Sequence, residues 1–184
     1  MAMKKIYLTS LILILLLLFS ANSTFALKIY FPENPLYWSG RAGMYYSSAA
    51  GASQSMMYGV GGYYDFSEHW AMRGVVEWTS YPVFGNEISY LPISLDLIYT
   101  RHFWDDIYPF IGGGVSYNII TNNNIITNTA GMQFEFGLKF ITGSIMTAIE
   151  YRYLYSDINN AAGNPRGTSF CGLAIGGFGH NFKL

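Results

Sequence analysis

The chain has 184 residues, enough for one domain, with a net charge of -1, aromatic residues at 18% and charged residues at only 11%. Lys and Arg form no basic block, which argues against nucleic acid as a partner, and the single Cys171 leaves no intramolecular disulfide to be made. Abundant Gly and Tyr with so few charges suit a protein that presents aromatic rings to a membrane.

The first element is an export signal. Lys4 and Lys5 precede an apolar run over 6–19, broken by Tyr7, Thr9 and Ser10, and then a small-residue zone, Ser20-Ala21-Asn22-Ser23-Thr24-Phe25-Ala26. The run is short for a spanning helix, which needs about 20 apolar residues. The layout predicts a signal peptide over 1–26, cleaved after Ala26 or next after Ser23, and a barrel domain over 27–184. No cysteine follows either site, so no lipoprotein anchor is indicated. The segment 27–37, with Pro32 and Pro35, reads either as a periplasmic tail or as the start of the first strand. No later apolar run is long enough for a spanning helix, so the mature chain is either exported and soluble or a β-barrel.

Eight strand-like runs follow, over 38–47, 56–66, 70–81, 88–102, 108–119, 130–141, 145–155 and 169–182. Each is long enough to cross a bilayer as a tilted strand of about 9 to 11 residues. The sixth shows the pattern most plainly, with Met132, Phe134, Phe136, Leu138 and Phe140 alternating with Gln133, Glu135, Gly137 and Lys139. Successive strand side chains point to opposite faces, so one face is apolar and the other polar. The connections alternate in length. Short turns are predicted at Ser67-Glu68-His69, around Asp105-Asp106 and at Thr142-Gly143, and longer loops over 48–55, 82–87, 120–129 and 156–168. Short periplasmic turns and longer outer loops are the layout of bacterial outer-membrane barrels. The fold class predicted is therefore an all-β, eight-stranded, antiparallel up-and-down transmembrane barrel, with both termini in the periplasm. A secreted β-sandwich explains the alternation but not the sorting of aromatics by end. Phe66, Trp70, Phe103, Trp104, Tyr108 and Phe182 flank the short turns or the C-terminus, and Tyr46, Tyr58, Trp78, Tyr117, Tyr153 and Tyr155 lie near the long loops. Two interfacial belts are what two membrane surfaces select.

Parity also assigns a lumen. If Trp70, Met72, Val76 and Trp78 face lipid, Arg73 and Glu77 point inward; if Ile145, Ile149, Tyr151 and Tyr153 face lipid, so do Glu150 and Arg152. The same reasoning places Arg41, Asp96, Glu135 and Lys139 inside. An eight-stranded barrel is just wide enough for side chains to fill. Arg41, Arg73, Glu77, Asp96, Glu135, Lys139, Glu150 and Arg152 are thus predicted to form an ionic network, in preference to lining a channel, because charges held away from water must pair. The fifth run, with Gly112-Gly113-Gly114, has ambiguous parity and lacks the helix and Lys-Ser/Thr pair of a phosphate loop, so its glycines read as places where a small barrel bends. No His/Cys/Asp/Glu cluster has metal-ligand spacing. The expectation is no catalytic residue, no metal and no cofactor.

The segment Gly59-Val60-Gly61-Gly62-Tyr63-Tyr64-Asp65-Phe66-Ser67-Glu68-His69-Trp70, the stretch from Tyr108 to Asn118 and a final strand ending His180-Asn181-Phe182-Lys183-Leu184 resemble the outer-membrane β-barrel superfamily of OmpA/OmpX-type small barrels. The family usually ends in an aromatic residue read by the barrel-assembly machinery; here Leu184 is terminal and Phe182 lies two residues earlier. A second stretch, Glu150-Tyr151-Arg152-Tyr153-Leu154-Tyr155 with Asn159-Asn160-Ala161 and Asn164-Pro165-Arg166-Gly167, is similar to the penultimate strand and following loop of lipid A 3-O-deacylases. That family uses a His-x-Ser pair with a downstream carboxylate. The corresponding positions here look like Tyr155 and Asp157, and none of His69, His102 and His180 is followed two residues later by Ser. The resemblances imply a non-enzymatic, monomeric barrel of the bacterial outer membrane with a structural or surface-interaction role. Its expected partners are outer-membrane lipid and lipopolysaccharide, the barrel-assembly machinery, and an extracellular ligand that the sequence does not name. A lipid A-modifying hydrolase and a narrow channel are the alternatives.

Overall fold

The computed structural model describes residues 36–103, 107–142, 145–158 and 166–178. The signal segment, the Asp105-Asp106 turn, Trp104, His180 and Phe182 lie outside them. Eight strands run in chain order: β1 (Leu36–Ser47), β2 (Ser55–Asp65), β3 (Trp70–Val83), β4 (Asn86–Thr100), β5 (Ile107–Asn122), β6 (Ile125–Thr142), β7 (Ile145–Tyr155) and β8 (Arg166–Phe178). Each pairs antiparallel with the next, and β1 pairs with β8, so the sheet closes into a barrel. The first strand begins at Leu36.

Alternation governs burial in every strand whose side chains are described. In β3, Trp70, Met72, Val76 and Trp78 are exposed while Ala71, Arg73, Val75, Glu77 and Thr79 are buried. The exposed set is apolar and the buried set is rich in charge, the inverse of a soluble sheet and the arrangement expected of a lipid-facing wall around a polar lumen. The fifth strand takes the same parity, with Ile111, Val115 and Tyr117 outward and Phe110, Ser116 and Asn118 inward. Pro92 lies mid-strand in β4, which proline normally avoids because it cannot donate to a ladder. The β3–β4 register skips Leu91 and Pro92, resuming at Thr79 and Tyr90, while on the other side Pro92 stays in register with Asn118. Two further irregularities, between Ala42 and Met44 and between Ala148 and Glu150, both face β8.

Two of the expected long loops are not loops. The stretch 120–129 continues the ladder, with Asn122 opposite Ile125, leaving only Asn123 and Asn124 as the turn, at φ 46° and 67°. The stretch 82–87 likewise closes on Phe84 and Gly85, at φ 48° and 84°, with Val83 opposite Asn86. Two central residues with positive φ make the tight hairpin turn whose twist matches the flanking strands. Asn tolerates that conformation, so the asparagine run that reads as solvated loop is instead a hairpin tip.

Candidate functional site

Among the described residues, the side chains of the lumen fall into three layers. The middle one is ionic. Arg73 lies at its centre with 0% exposure. Its guanidinium donates to Asp96 Oδ2 at 2.9 Å and Glu150 Oε2 at 2.8 Å, and it also pairs with Glu135. Arg41 donates through Nε to Glu77 Oε1 at 3.1 Å and pairs with Glu150. Arg152 pairs with Glu77 and lies 3.4 Å through Nε from Glu150 Oε1. Three guanidiniums thus interlock four carboxylates, each arginine bridging at least two, which compensates the loss of hydration that buried charge entails. Tyr63 accepts from Arg41 Nη1 at 3.2 Å, and Gln133 donates to Asp96.

Glycines make room for these carboxylates. A Cβ on Gly112 would lie 2.6 Å from Glu135 Oε1, one on Gly59 2.3 Å from Glu77 Cγ, and one on Gly114 2.4 Å from Asp96 Oδ1. All three sit directly beside their acidic neighbour in the strand register. Their role is therefore space for charge as well as curvature.

Lys139 departs from the expected network. It is buried but makes no ion pair among the described residues; its Nζ donates to Tyr37 OH at 3.4 Å and Thr100 Oγ1 at 3.3 Å and lies 5.3 Å from the ring centres of both Tyr63 and Phe110. It belongs to the layer at the end where β1 begins, in which Tyr37, Tyr63, Ala71, Ile98, Phe110 and Met146 pack together. Parity placed Lys139 inside but could not give its height along the barrel axis, which decides between a carboxylate and an aromatic face as its neighbour.

The layer at the other end, where β1 finishes, comprises Tyr45, Met57, Tyr81, Tyr90, Ile120 and Leu154. Tyr90 donates to Asn118 Oδ1 at 3.1 Å, and Asn118 Nδ2 to the Ser156 carbonyl at 2.7 Å. Asp157 is buried here, while Tyr155 is half-buried on the outward parity. His69 and His102 stand at the opposite end, 5.7 Å from the Tyr99 ring and 5.0 Å from the Tyr108 ring. The hydroxyl and carboxylate that resemble a deacylase pair therefore have no described imidazole beside them.

On the outward face, Phe66, Trp70 and Phe103 are exposed at the end where β1 begins, and Tyr46, Tyr58, Trp78, Tyr117 and Tyr153 toward the other. Trp78 Nε1 donates to Ser89 Oγ at 2.9 Å, an apolar ring with a wet edge, as an interface favours. Tyr108 does not join the outward girdle. It lies opposite Lys139 on the lumen parity and is half-buried beside His102. Sequence reasoning missed Tyr63, Gln133 and Asn118 as members of the interior; Gln133 was within reach, since it shares the parity of Glu135 and Lys139.

A family model described as "Outer membrane protein beta-barrel domain" matches residues 11–172. No curated protein matches the chain. Among solved structures, Neisserial surface protein A is similar with a TM-score of 0.66 at 16% identity, covering 78% of this chain and 97% of that one. The N-terminal β-barrel domain of Pseudomonas aeruginosa OprF has a TM-score of 0.56 at 17% identity, covering 78% and 97%. Ail, the attachment invasion locus protein of Yersinia pestis, has a TM-score of 0.50 at 14% identity, covering 78% and 99%.

Proposed function

Because the chain belongs to the family of outer membrane protein β-barrel domains, we propose that it is a non-enzymatic barrel of the bacterial outer membrane that works through the hairpins it raises at the cell surface. The observation that carries this reading is the filled interior. With an aromatic and aliphatic layer toward each end and an interlocked ionic layer between them, the described side chains occupy the lumen at three heights. The accessible parts are the lipid-facing wall, which meets outer-membrane lipid and lipopolysaccharide, and the outer tips, which offer a surface to an extracellular ligand. The barrel is proposed to act as a monomer and to reach the membrane through an exported precursor and the barrel-assembly machinery.

The hydrolase alternative is disfavoured because Asp157 is buried and the described histidines lie at the far end. An unactivated hydroxyl is a poor nucleophile. The channel alternative is disfavoured by the three layers. Two measurements test the proposal after heat-shifted gel mobility has established folding. Lipid A from a Gram-negative host should have the same mass with and without the protein, and the barrel in planar bilayers should give no step conductance. Loss of an acyl chain or a stepwise current would overturn the reading.

A further inference from the structure

The middle layer of the lumen does not balance. Glu77, Asp96, Glu135 and Glu150 bring four carboxyl groups to the guanidiniums of Arg41, Arg73 and Arg152. Lys139 is not the missing cation, because it stands a layer away, where its Nζ donates to the Tyr37 hydroxyl and that hydroxyl bonds to Asp65. The strand β8 adds nothing, since residues 169–178 carry no charged side chain. With all four carboxyl groups ionised, the layer would keep one negative charge that no cation of its own matches, on side chains that are all buried.

Hydrogen bonding shows where the excess falls. Glu150 meets all three guanidiniums, and Glu77 meets those of Arg41 and Arg152. Asp96 takes Nε and Nη2 of Arg73 on Oδ2 and the Gln133 amide on Oδ1. Glu135 pairs with Arg73 through Oε2, but among the described residues nothing donates to its Oε1. Gln133 Oε1, two residues away on the same face of β6, also has no donor. The two residues are 3% and 1% exposed. A third acceptor lies on the β5 side. A Cβ on Gly112 would be 2.6 Å from Glu135 Oε1 and 3.0 Å from the Leu97 carbonyl oxygen. Acceptors that face one another need a hydrogen on one of them, and a carboxyl group can carry it where an amide or backbone oxygen cannot.

We infer that Glu135 is a proton-binding site of the folded barrel, its carboxyl group carrying a hydrogen on Oε1 and leaving three carboxylates to three guanidiniums. The neutral acid still accepts from Arg73 through Oε2, while Oε1 becomes a donor among acceptors. The charges around it are those of Arg73 and Glu77 on β3, Asp96 on β4, Glu150 and Arg152 on β7, and Arg41 on β1; β2 contributes the Tyr63 hydroxyl. In the unfolded chain a glutamate is ionised above about pH 4.3, so the proton is drawn from water as the barrel forms. The folded state then binds one proton more than the unfolded chain, and rising pH weakens folding until that proton leaves. The lumen thus makes the barrel hold more firmly in acid than in alkaline surroundings, a property independent of what its outer tips bind.

The test uses the protein folded in phosphatidylcholine vesicles. At about pH 6, above the ordinary range of a glutamate, infrared spectra show the C=O stretch of a protonated carboxylic acid. Carboxyl-13C glutamate moves this band and carboxyl-13C aspartate does not. Glu135→Gln abolishes the band, yet folds and resists urea as wild type does, whereas Glu150→Gln, which takes a charge from three guanidiniums, is weaker. From about pH 5 to the pH at which the band vanishes, the folding equilibrium constant of wild type falls relative to that of Glu135→Gln by about tenfold per pH unit, the signature of one proton. The inference is overturned by a wild-type spectrum without the acid band, or by a band that follows the aspartate label. A ratio of the two constants that does not change with pH overturns it as well, and so does a Glu135→Gln barrel that fails to fold or is as weak as Glu150→Gln.

Discussion

Phe84 shows how much a single residue can conflict with its position. It occupies the first turn position between β3 and β4 with φ 48° and 79% exposure, where an aromatic side chain is both strained and wetted. Its ring lies over Gly51, whose own φ is 76° and where an added Cβ would come within 2.6 Å of that ring. Replacing Phe84 with Asn relieves a conformation that costs on the order of 1 kcal/mol, and urea unfolding in detergent should show a gain of up to about that size. Arg73 is the opposite case, a residue on which three carboxylates depend. Arg73→Ala leaves buried negative charge uncompensated and should cost about 3 to 5 kcal/mol. Unchanged thermal unfolding of the heat-modifiable form would refute that account.

At the scale of the strand, two glycines of opposite parity differ in what surrounds them. Gly114 points inward, and a methyl group there would meet the Leu95 carbonyl oxygen at 2.1 Å; Gly74 points to lipid with nothing within 4 Å. Gly114→Ala is therefore expected to destabilise by about 1 to 3 kcal/mol, and Gly74→Ala to be neutral or slightly stabilising, as denaturation midpoints of the two refolded variants will show. The strands themselves were legible in the sequence because a lipid-facing wall forces strict alternation, and Trp70 to Trp78 display it residue by residue. The tips were not. Asn122-Asn123-Asn124 is polar enough to read as loop, yet its value lies in backbone conformation, which composition does not reveal. Inward parity was legible for Arg41 and Glu150, but their meeting was not, since β1 and β7 are separated by β8 and no local pattern carries a contact across a lumen.

For the whole molecule, the arrangement of the layers matters more than their content. The interlocked charge lies in the middle of the barrel, where four carboxylates face three guanidiniums, while Lys139 is buried among aromatic rings toward one end and Asp157 is buried toward the other. Because the guanidiniums and carboxylates of the middle layer are bound to one another, conductance is expected to be absent. The pairing of Arg41 with Glu150 reaches over β8, whose residues 169–178 contain no charged side chain. The first and the seventh strand are thus fastened to each other across the strand that joins them. During assembly a sheet of seven strands already holds both groups but has no ring to bring them together. Their attraction is realised only at the final joining step, so the barrel gains little from being nearly shut. The same fastening acts in reverse: prising β8 from β1 breaks a backbone ladder and exposes an ion pair at once, so lateral opening should be slow even when the barrel as a whole is only modestly stable.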